Sequence, residues 1–117
     1  MRAVSFREVE PMKSAPGVGS VPKGVAIRRI FGKEDGATFS MRVVESDPSD
    51  ELPHGIHTHA WEHHVFVVGG KGIIITEDGE TLVKPGDCVF IPANEPHTIG
   101  PRAGAEPFLF VDCVSTL

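Results

Sequence analysis

Apolar residues in this chain come in short runs and in alternation with polar ones, and nowhere sustain the 3.6-residue period of a helix. The pattern predicts strands at 25–31 (VAIRRIF), 38–45 (TFSMRVVE), 55–59 (GIHTH), 63–69 (HHVFVVG) and 72–78 (GIIITED). Further strands are predicted at 80–84 (ETLVK), 88–92 (CVFIP), 97–100 (HTIG) and 107–114 (PFLFVDCV). Asp78-Gly79 predicts a tight hairpin with a type I′ turn, which needs positive φ. Pro85-Gly86 predicts a type II turn, with proline fixing φ and glycine taking the left-handed position. About nine short strands joined by turn residues define an all-β sandwich or barrel.

Residues 1–24 fall outside this pattern as an N-terminal strand and arm, with 11–24 (PMKSAPGVGSVPKG) irregular, and residues 25–117 form the barrel. The whole is one domain, because 117 residues leave no room for two. A composition of 40% hydrophobic and 23% charged residues suits an ordinary globular protein. The formal net charge of −5 argues against a nucleic-acid or anionic-membrane partner. No apolar run reaches the roughly 18 residues that span a bilayer. The N-terminal segment lacks the apolar core of a signal peptide, so the expected location is cytoplasmic. Cys88 and Cys113 stand singly in apolar segments and read as two buried thiols.

Chemistry concentrates in histidine. Five of the six histidines lie between His54 and His64, in HGIHTHAWEHH. A lone strand histidine is usually a hydrogen-bonded structural residue. Here His57 and His59 are two apart in a predicted strand and so share a face. Two imidazoles converging on one face are costly to bury unless a metal uses their lone pairs. His63 follows across a predicted turn. His63 and His64 are adjacent in a strand, so only one of them reaches the interior. His97 lies downstream, after GDCVFIPANEP.

HTHAWEHHVFVVGGKG resembles the first motif of the cupin family, G-x5-H-x-H-x(3,4)-E-x6-G, with Gly70 as the closing glycine. GDCVFIPANEPH resembles the second motif, G-x5-P-x-G-x2-H, through Gly86, Pro92 and His97. Asn94 stands where the motif has glycine, and asparagine is the next best residue at left-handed φ. The resemblance implies the cupin jelly-roll barrel, an all-β fold. The sequence departs from the pattern where most cupins place a glutamate ligand, since His63 and His64 stand there. This wording resembles small single-domain cupins that bind manganese or a similar metal through four histidines. It implies the ligands His57, His59, His63 and His97, with His64 outward and Glu62 hydrogen-bonding in the turn. His54 is expected to be solvated.

Four neutral imidazoles leave a divalent ion at +2 and, if octahedral, with two open positions. The cofactor expected is one divalent transition metal, manganese first, with iron, zinc, nickel and copper as alternatives. The leading functional expectation is a dioxygenase-like, metal-dependent oxidoreductase acting on a small organic substrate. The alternatives are a non-catalytic metal or small-ligand binding module and an isomerase- or lyase-type cupin. Catalytic residues stay open, with Arg42 and Asp112 as the candidates. Asp112 shares strand parity with Phe108 and Phe110, which either wall a pocket with it or form core beneath a rim carboxylate. Arg42 either meets an anionic substrate or is solvated. Trp61 is expected at the barrel mouth or at a subunit contact. A homodimer is expected, with the arm at 11–24 available for strand exchange.

Overall fold

The computed structural model describes residues 1–16, 18–53 and 55–116. Among these residues ten strands in antiparallel pairs make three sheets. The largest runs β3 (Val25–Phe31), β4 (Phe39–Ser46), β10 (Phe108–Ser115), β5 (His63–Gly69) and β8 (Cys88–Ile91) in spatial order. The second runs β7 (Gly79–Val83), β6 (Gly72–Thr76) and β9 (His97–Pro101). A small hairpin, β1 (Ser14–Ala15) with β2 (Gly19–Ser20), completes the set.

Eight of the predicted strands are present, with ends shifted by a residue or two. The ninth, 55–59, is not a ladder: only His57 forms an isolated bridge, to His97. The reason lies in its composition, since Gly55, Thr58 and the flanking Pro53 offer no alternating apolar face to bury.

Strand alternation explains the core. Along β10, Phe108, Phe110, Asp112 and Val114 are buried while their neighbours are less so. Ile27, Val44, Val65, Val67 and Ile91 from the large sheet meet Ile74 and Val83 from the smaller one. Fully burying such side chains stabilises the fold by roughly 1.5–3 kcal/mol each.

The turns agree with the sequence in one case and differ in the other. Pro85-Gly86 is a type II turn, with Gly86 at φ 93° and Asp87 N–H donating to Lys84 C=O at 3.1 Å. The β6–β7 hairpin forms, but its turn is not type I′. Thr76 pairs with Gly79, so Glu77 and Asp78 are the loop residues, and positive φ falls on Gly79 alone. Asn94 takes the left-handed conformation at φ 68°. Gly70 sits at φ 73°, where a Cβ would collide with the Pro107 carbonyl oxygen.

The arm is more ordered than its composition suggests. A 3₁₀ turn covers Phe6–Glu8, Met12 N–H donates to Ile27 C=O at 2.8 Å, and Ala15 is buried in the core. The arm's contacts are thus made to its own barrel. The expectation of two buried thiols also needs correction. Cys88 is exposed and Cys113 half-buried, because β8 turns Val89 and Ile91 inward and Cys88 and Phe90 outward. Among the described residues no helix is long and apolar enough to cross a membrane.

Candidate metal centre

Four histidines from three parts of the chain face one another inside the barrel. His57 and His59 come from the connection between β4 and β5, His63 from the start of β5, and His97 from the start of β9. The ligand-capable ring nitrogens of His57, His59 and His97 lie within 4.8 Å of one another. His63 approaches from the β5 side, with its Nε2 2.8 Å from that of His59 and its ring centroid 5.1 Å from that of His97. The paired backbone bonds between His57 and His97, N–H to C=O at 2.9 Å in both directions, bring the loop histidines to the sheet in place of a strand.

The outer nitrogens settle how the rings point. Nδ1 of His59 faces the Trp61 carbonyl at 2.9 Å, that of His97 the Glu95 carbonyl at 2.8 Å, and that of His57 the Gly55 carbonyl at 3.2 Å. Nδ1 of His63 faces both Asp112 carboxylate oxygens, at 2.8 and 3.0 Å. A carbonyl or carboxylate oxygen only accepts, so each Nδ1 carries the proton and each Nε2 the lone pair. The 2.8 Å approach of His59 and His63 therefore sets two lone pairs against each other, an arrangement that a cation between them relieves. Burial, followed by the neighbouring His63, pushes His59 down to about 4. Burial also lowers His97. Both rings are thus kept in the neutral form a metal needs. The donor set fits a borderline transition metal.

The remaining sequence candidates take clear places. His64 points to the outer face, exposed and paired with Glu62 at 2.7 Å. Glu62 is thus outside the histidine group. His54 lies outside the described residues. Asp112 is inward and buried, with Phe108 and Phe110 as core along the same face. Its bond to His63 makes it an orienting carboxylate; strand parity suggested an inward carboxylate but neither this role nor its partner. Trp61 stacks on His59, with ring centroids 4.2 Å apart and planes at 8°. Nothing in the spacing pointed to that contact. Arg42 is half-buried on the inner face, beside Asp112 in the adjacent strand.

The cavity between the sheets has a volume of about 70 Å³ and is lined by the four histidines, Arg42 and Asp112 among apolar walls that include Val44, Ile91 and Phe110. A polar cluster at the end of an apolar barrel is the form of a small-molecule site.

Fold and site together define a β-barrel with a cluster of histidines, three of which, His57, His59 and His97, could hold a metal ion. The cupin domain family matches residues 42–114, and the chain belongs to that family. No curated protein matches the sequence. Among solved structures, the polyketide cyclase RemF from Streptomyces resistomycificus is 25% identical with a TM-score of 0.81, covering 100% of this chain and 80% of that one. A cupin 2 domain-containing protein from Halorhodospira halophila is 26% identical with a TM-score of 0.71, over 80% of this chain and 66% of that one, just under two thirds. A sugar phosphate isomerase of the cupin superfamily from Silicibacter pomeroyi shares the fold at 23% identity, with a TM-score of 0.75, over 97% of this chain and 75% of that one.

Proposed function

We propose that this cupin is a metal-dependent enzyme holding one divalent transition metal through Nε2 of His57, His59, His63 and His97, and that it acts on a small organic substrate. The observation that carries the reading is the convergence of the four rings, each with Nδ1 on an oxygen acceptor, with Nε2 of His59 and His63 2.8 Å apart and one ring nitrogen each of His57, His59 and His97 within 4.8 Å of one another. Bound there, the metal supplies Lewis acidity, since four neutral imidazoles leave its full charge uncompensated. The chain's own groups hold the cage. Asp112 keeps the His63 tautomer, the backbone carbonyls of Gly55, Trp61 and Glu95 keep the others, and the apolar wall limits water around the substrate.

Likeness over the full chain to a protein named a polyketide cyclase supports non-redox chemistry on a carbonyl-bearing substrate, in the cyclase, isomerase or lyase class. The dioxygenase-like reading uses the same cage. Manganese remains the first candidate ion. Elemental analysis of protein reconstituted with manganese, iron and zinc is the test of the site, and no stoichiometric metal under any of these conditions refutes it. Oxygen uptake by manganese- or iron-loaded protein over a substrate panel separates the two chemistries. The homodimer belongs to the same proposal, with the outer face of the large sheet, where Phe39, Phe66 and Phe90 are exposed, as the surface a second copy would cover.

A further inference from the structure

Two side-chain polar atoms among the described residues are buried with no hydrogen-bond partner, Arg42 Nε and Trp61 Nε1. Both are donors, so both lack an acceptor. Both residues line one cleft at the barrel mouth, about 430 Å³ in volume, to which Arg29 and Lys33 also contribute. Arg42 lines the histidine cavity as well, and so stands in the wall between the two.

The neighbours of Arg42 make its position unusual. Arg29, its partner on β3, is held by Glu34 through two bonds of 2.8 Å. Asp112, its partner on β10, is committed to His63. Arg42 thus forms no hydrogen bond or ion pair among the described residues, although it is half-buried. Burial lowers the affinity of its guanidinium for the proton, and the nearby Asp112 carboxylate offsets this only in part. Leaving such a group unpaired is costly, and a carboxylate is the planar acceptor its fork matches best.

We propose that the barrel mouth is an anion subsite in which Arg42, with Trp61 beside it, receives the carboxylate of a small organic acid whose apolar part enters the barrel. The proposal rests on the metal-site reading only in taking the histidine cavity as the place where that substrate ends. The walls suit an apolar body, since Ile27, Val44, Ile91, Ile99 and Phe110 face the same space.

Trp61 is the chain's only tryptophan, so its fluorescence reports this cleft. The test titrates benzoate, and its neutral near-isostere benzamide, into metal-stripped and zinc-loaded protein, wild type and Arg42→Met. Benzoate is expected to change the fluorescence saturably in both wild-type forms and to bind at least about tenfold more tightly than benzamide, the worth of a charged hydrogen bond. Arg42→Met is expected to lose that preference while keeping its metal content. Equal binding of benzoate and benzamide by the wild type overturns the proposal, as does no saturable response to benzoate. Wild-type affinity for benzoate in Arg42→Met overturns it too, and if that binding needs zinc, the anion sits on the metal instead. Arg42-dependent benzoate binding by protein that takes up no metal leaves this proposal standing while the metal reading falls.

Discussion

Asp112 on β10 and His63 on β5 meet diagonally across adjacent antiparallel strands, with both carboxylate oxygens within 3.0 Å of Nδ1. The pair is nearly out of solvent, with side-chain exposures of 7% and 15%. Such a carboxylate fixes the ring's tautomer and raises its basicity as a ligand, and removing it typically weakens metal binding by about 10- to 100-fold. Asp112→Asn keeps the volume but removes the negative charge and turns one of the two acceptor oxygens into a donor. The expected result is a weakened zinc affinity of that order in competition with a chromogenic chelator, with an unchanged fold by circular dichroism. Unchanged affinity would remove Asp112 from the centre.

The doubled histidine gives a sharper contrast. His63→Ala is expected to abolish stoichiometric metal, and His64→Ala, which alters only an exposed pair with Glu62, to leave it intact. Elemental analysis of both variants decides the matter, and the reverse result would place the wrong residue in the cage.

Acid should act on the metal-free barrel through His59. Its folded-state pKa is depressed, from 6.5 to about 4, so between those values the unfolded chain binds more protons than the native one. Stability conferred by the neutral ring is complete above pH 6.5 and falls as pH drops toward about 4. Thermal melts of chelator-treated protein should show Tm declining through that window, and less steeply in His59→Gln. Equal slopes for the two proteins would assign the decline elsewhere.

Gly70 is required by backbone geometry. Its φ of 73° and the closeness of the Pro107 carbonyl to the position a Cβ would take leave no room for alanine. Gly70→Ala is expected to cost more than about 1 kcal/mol, measured by urea denaturation. A neutral outcome would mean that the β5–β6 turn and the start of β10 adjust freely.

The outer sheet face yields a prediction about assembly. Phe66 and Phe90 are 48% and 58% exposed in the single chain. Phe66→Asp with Phe90→Asp is expected to shift the protein from dimer to monomer in sedimentation velocity. A wild-type monomer at micromolar concentration would refute the dimer.

Much of this was legible in the residues. Most of the eight strands follow from alternation or from a short apolar run with buried positions, while β7, exposed at four of five positions, follows from its place after the Asp78-Gly79 turn. The adjacency of His63 and His64 required one to face in and the other out, and the structure turns His63 inward. Residues 55–59 read as a strand because HTH mimics alternation, but no apolar face supports a ladder there. The partners of the ring nitrogens were hidden for a different reason. Carbonyls of Gly55, Trp61 and Glu95 carry no side-chain signature, and the meeting of Asp112 with His63 depends on a register between strands 49 residues apart. The lone donors of Arg42 and Trp61 were equally invisible, since a missing partner leaves no trace in a sequence.

The bridge between His57 and His97 ties the 47–62 connection to β9, while Asp47 N–H to Gly24 C=O and Asn94 N–H to His59 C=O hold it at two further points. His63 belongs to the five-stranded sheet and His97 to the three-stranded one. An ion shared by these rings would therefore work as a clasp, fastening two sheets and the connection between β4 and β5 at one point. Protection of that connection against local opening would then be a readout of occupancy. Amide exchange around residues 55–62 would register the clasp opening well before the barrel itself unfolds.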